Sequence, residues 1–177
     1  MLRYVNCNAK PHGDGSKEKP FSKIQQAAAI ALPGDEIIVA PGVYREEVSP
    51  VNAGTEKKPI VYRSEKNREA VITGAEIIKN WEPYEGQVWK VTLPNSFFGS
   101  YNPYTTFVWG DWLNANVPTH TGEVFLNGKS LYEKETLEKV VNPEFYNCSW
   151  DREFTKHTWY TCQVEDKEET VIYANFQ

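Results

Sequence analysis

Cysteine and methionine are scarce, with three Cys and one Met in 177 residues. Cys7, Cys148 and Cys162 are odd in number and show no C-x-x-C spacing. That excludes a disulfide framework and a zinc ribbon, and it fits reduced thiols. No apolar run approaches the roughly 18 residues that a membrane-spanning helix needs. The opening Met1-Leu2-Arg3-Tyr4-Val5-Asn6 turns polar at once, so no apolar signal-peptide core is read and a cytoplasmic location is expected. Basic charge is also short: 19 Lys and Arg stand against 24 Asp and Glu, for a net −5 with no Lys/Arg block. Charge-driven binding to nucleic acid or to an anionic membrane is therefore not expected.

Motifs of several enzyme classes are missing too. There is no G-x-S-x-G elbow, P-loop, G-x-G-x-x-G or H-E-x-x-H. His12, His120 and His157 are scattered, without a second ligand at metal spacing. Each reads as a surface or hydrogen-bonding residue, and neither a metal nor a cofactor is expected. Eleven Gly and eleven Pro are too few for a collagen-like repeat. What the chain does have is aromatics: eight Phe, six Trp and ten Tyr, enough for a packed core.

The apolar pattern predicts a mainly β chain. Phe21, Ile24, Ala28 and Ala31 recur at steps of three and four, which predicts a helix over Phe21–Leu32 ended by Pro33-Gly34-Asp35. Short β-branched runs follow at Glu36–Ala40, Val43–Val48, Pro59–Arg63 and Ala70–Gly74, separated by polar turns. Strands about ten residues apart, without helices between them, indicate an all-β layout. A capping helix before such strands predicts the opening coils of a parallel β-helix over residues 1–80, with an ordinary β-sandwich as the alternative.

Near residue 80 the rhythm changes. Val88-Trp89-Lys90-Val91 alternates, and Trp81 and Trp89 read as core. Val124–Leu126 and Lys129–Tyr132 flank Asn127-Gly128, a hairpin signature. Thr158–Val164 and Thr170–Phe176 flank the acidic turn Glu165–Glu169 as a longer hairpin, and Leu131–Val141 has room for one or two helical turns. Residues 81–177 are thus predicted to form an antiparallel β-sandwich. Val171–Gln177 is an apolar strand with nothing after it. It reads as an exposed edge at the end of the front part of a longer protein, open to self-association or to pairing with a C-terminal β-helix part.

Between the hairpins lies an aromatic stretch, Phe97-Phe98-Gly99-Ser100-Tyr101-Asn102-Pro103-Tyr104, leading into Phe107-Val108-Trp109-Gly110-Asp111-Trp112-Leu113. Indoles stack on the C–H faces of sugars and carboxylates accept sugar hydroxyls, so Trp112 beside Asp111 suits a sugar site. The alternative is that these rings fill the core. Asp111 and Glu123 are candidate carboxylates for glycoside hydrolysis, but spacing alone does not place them face to face, and no catalytic pair is assigned.

Several stretches resemble the N-terminal part of the β-xylosidases of glycoside hydrolase family 120. They are Gly34–Val39 with Gly42–Glu46, Val71–Glu76, Leu93–Gly99, Asn102–Tyr104, Gly110–Leu113 and Ile172–Gln177. The first two recur in many β-helix proteins; Leu93–Gly99 and Gly110–Leu113 are more specific. The resemblance implies a right-handed parallel β-helix carrying a β-sandwich, as in pectin-lyase-like folds. It also implies a retaining hydrolase of β-xylosides and xylo-oligosaccharides that needs no cofactor. The family's nucleophile Asp and acid/base Glu have no counterpart here, so no catalytic residue is expected in this chain. Trp112 is implied to line the sugar pocket, with Asp111 its neighbour in the motif. The rival expectations are a stand-alone carbohydrate-binding module using Trp112 and Trp109, and a structural or assembly domain.

Overall fold

The computed structural model describes residues 1–110 and 119–177. The fold is mainly β, and the chain divides into two compact units, Met1–Ile77 and Ile78–Gln177.

The first unit comprises β1 (Leu2–Val5), α1 (Ile24–Ala28), β2 (Glu36–Val39), β3 (Gly42–Arg45), β4 (Val61–Ser64) and β5 (Ala70–Thr73). All of its strand pairs are parallel. β2 lies between β1 and β4, with Leu2 opposite Glu36 and Glu36 opposite Val61, and β3 pairs with β5 in a second sheet. The chain turns from one sheet to the other at Pro41-Gly42. Gly42 has φ +152°, and a Cβ there would stand 2.3 Å from Cys7 Sγ, so only glycine fits. Val5, Phe21, Ile24, Ala27, Ala31, Ile37, Val39 and Tyr44 form the core.

The helix is shorter than its apolar period predicts. Phe21 is committed elsewhere: its N–H donates to Tyr4 O and its carbonyl accepts from Asn6 N–H, an extension of β1. The helix begins where the Glu46 carboxylate accepts the Ile24 and Gln25 N–H groups at 2.8 and 2.9 Å. These are orphan donors of a first turn, and an anion there also suits the helix dipole. Beyond the helix, Asp35 accepts the Leu32 N–H at 3.1 Å. Even so, Phe21, Ile24, Ala28 and Ala31 are all buried, because the period selects the inward face whether or not every turn is α-helical.

Asp35 is the main charged residue of this unit's interior. It takes the Met1 amine at 2.8 Å and Arg3 Nε at 2.9 Å. The amine first, then the Leu32 N–H and Arg3, hold its carboxyl down at about 2.

The second unit comprises β6 (Glu82–Glu85), β7 (Val88–Pro94), β8 (Phe125–Leu126), β9 (Lys129–Ser130), β10 (Tyr132–Glu133), α2 (Leu137–Val141), β11 (Thr158–Val164) and β12 (Glu169–Asn175). Five strands make one sheet in the order β10-β11-β12-β7-β6. The β10–β11 pair is parallel and the others are antiparallel. β8 and β9 form the hairpin expected from Asn127-Gly128, with φ of 51° and 82° at the two turn residues. Both positive values belong to the tight hairpin turn that Asn-Gly favours. Val91, Leu93, Val124, Leu131, Trp159, Ile172 and Ala174 form the core, with Trp81 and Phe176 packed edge-to-face against it, centroids 4.9 Å apart.

Two expectations are corrected here. Val171–Phe176 is not an exposed edge. β12 is hydrogen-bonded to β11 on one side and β7 on the other, and Val171, Ile172 and Ala174 are buried. The strand's apolar character serves a central position, not an unpaired rim. Trp89 is not core either: it pairs with Pro83 of the outer strand β6, next to a register shift, and is 36% exposed. The indole that fills the core is Trp159, at 2% exposure. Among the described residues, no helix is long and apolar enough to cross a membrane.

Candidate functional site

The predicted sugar contacts, Asp111 and Trp112, lie outside the described residues. The structure does describe the base from which that segment departs, and four sets of contacts build it.

The first ties the loop after β7 to the sheet. Thr170 of β12 is fully buried. Asn102 Nδ2 donates to Thr170 Oγ1 at 2.8 Å, and Thr170 Oγ1 donates to Asn95 Oδ1 at 2.7 Å. Asn102 Oδ1 then accepts the Tyr104 N–H at 2.9 Å. Short amide side chains are needed because each must bond its own loop and the sheet at once. This gives Asn95 and Asn102 a structural task, apart from sugar binding.

The second is a close approach of two chain segments. Gly122 N–H donates to Pro103 O at 2.9 Å. A Cβ on Gly122 would stand 2.8 Å from the Tyr104 ring, so the glycine admits that ring. Tyr104 OH donates to Glu123 O at 2.9 Å, and its ring meets Trp159 edge-on at 5.7 Å. Burial first, and then the Glu123 charge, push the Tyr104 hydroxyl pKa up. Glu123 itself is exposed.

The third is a short ladder. Val108 N–H donates to Thr119 O and Thr121 N–H donates to Thr106 O, both at 2.8 Å, around an antiparallel bridge between Phe107 and His120. Thr121 Oγ1 donates to Pro103 O at 3.2 Å and therefore accepts from Tyr101 OH, 2.6 Å away.

The fourth contact was not foreseen as a pair. Glu133 Oε2 accepts the His120 N–H at 2.9 Å, and Glu133 Oε1 lies 2.5 Å from His120 Nδ1. A carboxylate only accepts, so Nδ1 carries the proton. The His120 ring tilts over Phe107, centroids 4.5 Å apart, and lies 6.4 Å from the Trp159 ring. His120 is the hydrogen-bonding histidine its isolation predicted; its partner, thirteen residues away, was not legible from spacing.

The aromatic stretch thus divides. Phe98 and Tyr104 pack against the core, whereas Phe97, Tyr101 and Phe107 are exposed and Trp109 is 87% exposed. Among the described residues, no group of three His, Cys, Asp or Glu is placed to hold a metal ion. In the first unit, Ile24, Val39, Val48, Pro50, Tyr62 and Ile72 help line an open cavity of about 220 Å³. Its largely apolar walls suit packing and offer no paired carboxylates for chemistry.

The likeness to known proteins falls on both units. One solved structure, "The complex structure of XylC with xylose", is 41% identical, covers 100% of this chain and superposes with a TM-score of 0.91. This chain spans 30% of that one. "Uncharacterized protein YwoF" from Bacillus subtilis (strain 168) is 34% identical over 74 residues, which are 42% of this chain and 16% of that protein. Residues 78–177, the whole of the second unit, match the family described as "Glycoside hydrolase 120, insertion domain". On that match and the 41% identity along its full length, the chain belongs to glycoside hydrolase family 120.

Proposed function

We propose that this chain is the opening part of a retaining glycoside hydrolase that acts on β-xylosides and xylo-oligosaccharides. It supplies part of the wall of the sugar site, through Trp112 with Asp111 beside it, and not the catalytic carboxylates. The observation that carries this reading is the 41% identity over the whole chain to XylC, a protein solved with xylose. The parallel pairing of β1, β2 and β4, and of β3 with β5, supports reading residues 1–80 as the first coils of a right-handed parallel β-helix with α1 as its cap. The five-stranded sheet and the β8–β9 hairpin support reading residues 81–177 as a β-sandwich. Hydrolysis with retention takes two carboxyl groups about 5–5.5 Å apart. On this reading they come from a further β-helix part that pairs with this one.

The test has two arms. The chain alone should release no nitrophenol from an aryl β-xyloside, since without nucleophile and proton donor only binding remains. It should bind xylose saturably, and Trp112→Ala should weaken that binding by about tenfold or more, as truncating a binding hot spot does. Enzyme-like turnover abolished by replacing Asp111 or Glu123 would place the active site in this chain and overturn the reading. A second reading, a carbohydrate-binding module that works by itself, is favoured by the exposed indole of Trp109. Tight binding of xylo-oligosaccharides by the chain alone, lost in Trp109→Ala, would select it.

A further inference from the structure

We infer that the second unit holds a buried water molecule beneath α2, bridging Thr158 of β11 and Asn175 of β12. The inference is independent of the sugar-site reading.

Thr158 opens β11 and Asn175 closes β12. Trp159 lies opposite Ala174, so one step outward Thr158 stands opposite Asn175, and both side chains leave the same face of the sheet. Asn175 is in turn opposite Val88 of β7. This is the face that α2 covers, with Val140 fully buried against it. Thr158 is 0% exposed and Asn175 1% exposed, so bulk water reaches neither side chain.

The Asn175 amide can sit only one way round. Its Nδ2 donates to Val140 O at 2.9 Å, near the end of α2. A carbonyl only accepts, so the amide nitrogen must face it, and Oδ1 is directed away. Asn175 Oδ1 and Thr158 Oγ1 are both buried, and neither has a hydrogen-bond partner among the described residues. Buried orphans are rare, because each forfeits the hydrogen bond that it makes to water in the unfolded chain. Two orphans on directly opposite residues form a single site. Cβ atoms of such a pair stand about 4.5–5.5 Å apart, which puts the two oxygens within the span of one bridging molecule.

The chemistry selects the occupant. The site offers one hydroxyl, which donates or accepts, and one amide oxygen, which accepts. Two neutral oxygens are too few, and too weakly negative, to hold a divalent cation. A water molecule satisfies both: it accepts the Thr158 hydroxyl proton and donates to Asn175 Oδ1. Buried waters characteristically sit on polar groups that are otherwise unpaired. Bound there, the water ties the first residue of β11 to the amide that holds α2.

The experiment uses the 177-residue chain. Thr158→Val keeps the shape of the side chain and removes its hydroxyl. Urea unfolding of the second unit, followed by Trp fluorescence, reads the sign of the effect. With the hydroxyl bridged, the unfolding equilibrium constant should rise by about fivefold or more. An unchanged or lower constant would mean that the hydroxyl was unpaired, and would overturn the inference. Asn175→Ala also loses the bond to Val140 O, so it enters only through a double-mutant cycle with Thr158→Val. The combined loss should fall short of the product of the two single losses by about threefold or more. Independent losses would mean that the two side chains share no partner, which also overturns it. A crystal structure of the wild-type chain, at a resolution that shows ordered water, decides the matter without any variant. Density within hydrogen-bonding distance of both oxygens is expected. A Thr158 hydroxyl bonded directly to Asn175 Oδ1, or no density between them, would overturn the inference.

Discussion

The two units solve the same problem, burying short strands, by opposite pairings. In residues 1–77 every strand is four residues long and pairs in parallel with a strand far along the chain. The outer strands β4 and β5 leave Val61, Tyr62, Val71 and Ile72 exposed. In residues 78–177 the three central strands are seven residues long and antiparallel, and β12 is bonded on both sides. Parallel ladders have slightly weaker bonds per residue and usually need cover on both faces. The comparison teaches that the second unit carries its stability in one continuous ladder and one large indole. The first depends more on its interior caps, with Glu46 at the helix start and Asp35 where the amine, Arg3 and Leu32 converge.

That contrast can be broken most directly at Trp159. Trp159→Ala should destabilise the second unit by about 3–5 kcal/mol, the usual cost of emptying a core aromatic site. All six Trp lie at residue 81 or beyond, so Trp fluorescence during urea unfolding reports on this unit. A shift no larger than that of Trp89→Ala would mean that the antiparallel core does not centre on this indole.

A smaller effect is expected at Ile37, fully buried at the middle of the parallel sheet. Ile37→Ala should cost the first unit about 2–4 kcal/mol. Amide exchange at Ile38 and Val39 measures it. Protection that survives the substitution would show that the parallel unit is held by its caps more than by its core.

The smallest effect concerns Asp35 and sharpens the comparison through pH. Its folded pKa of about 2 lies below the ordinary carboxylate value. The ionised form is therefore favoured by folding, and its contribution is present above about pH 4 and lost as pH falls toward 2. Acid should weaken residues 1–77 over that window, followed by exchange at β2. Asp35→Asn should cost about 1–3 kcal/mol at neutral pH, from charged hydrogen bonds lost in a buried place, and should flatten the acid response. An unchanged acid profile in Asp35→Asn would remove Asp35 from the account.

Much of the local structure was legible. Asn127-Gly128 announced a hairpin because few other pairs adopt two positive φ values, and the structure has both. Phe21, Ile24, Ala28 and Ala31 announced an inward face, and all four are buried. The Leu93–Gly99 and Gly110–Leu113 stretches carried the likeness to family 120, and the match of residues 78–177 bears that out. The Glu133–His120 contact was not legible, because neither residue has a neighbour in sequence that signals the other. Trp89 and Trp159 look alike in sequence; one lies beside an outer strand and the other beneath Tyr104.

By itself, then, the sequence determined where strands, turns and the inward helix face fall, since these follow from the conformational preferences of adjacent residues. Only the tertiary structure decided which strands meet. Leu2 opposite Glu36, β12 at the centre of its sheet and Glu133 on His120 all join residues distant in the chain. Such pairings are chosen by the joint burial of apolar faces and by the need of every buried N–H and carboxylate for a partner, and no short stretch of sequence encodes that choice.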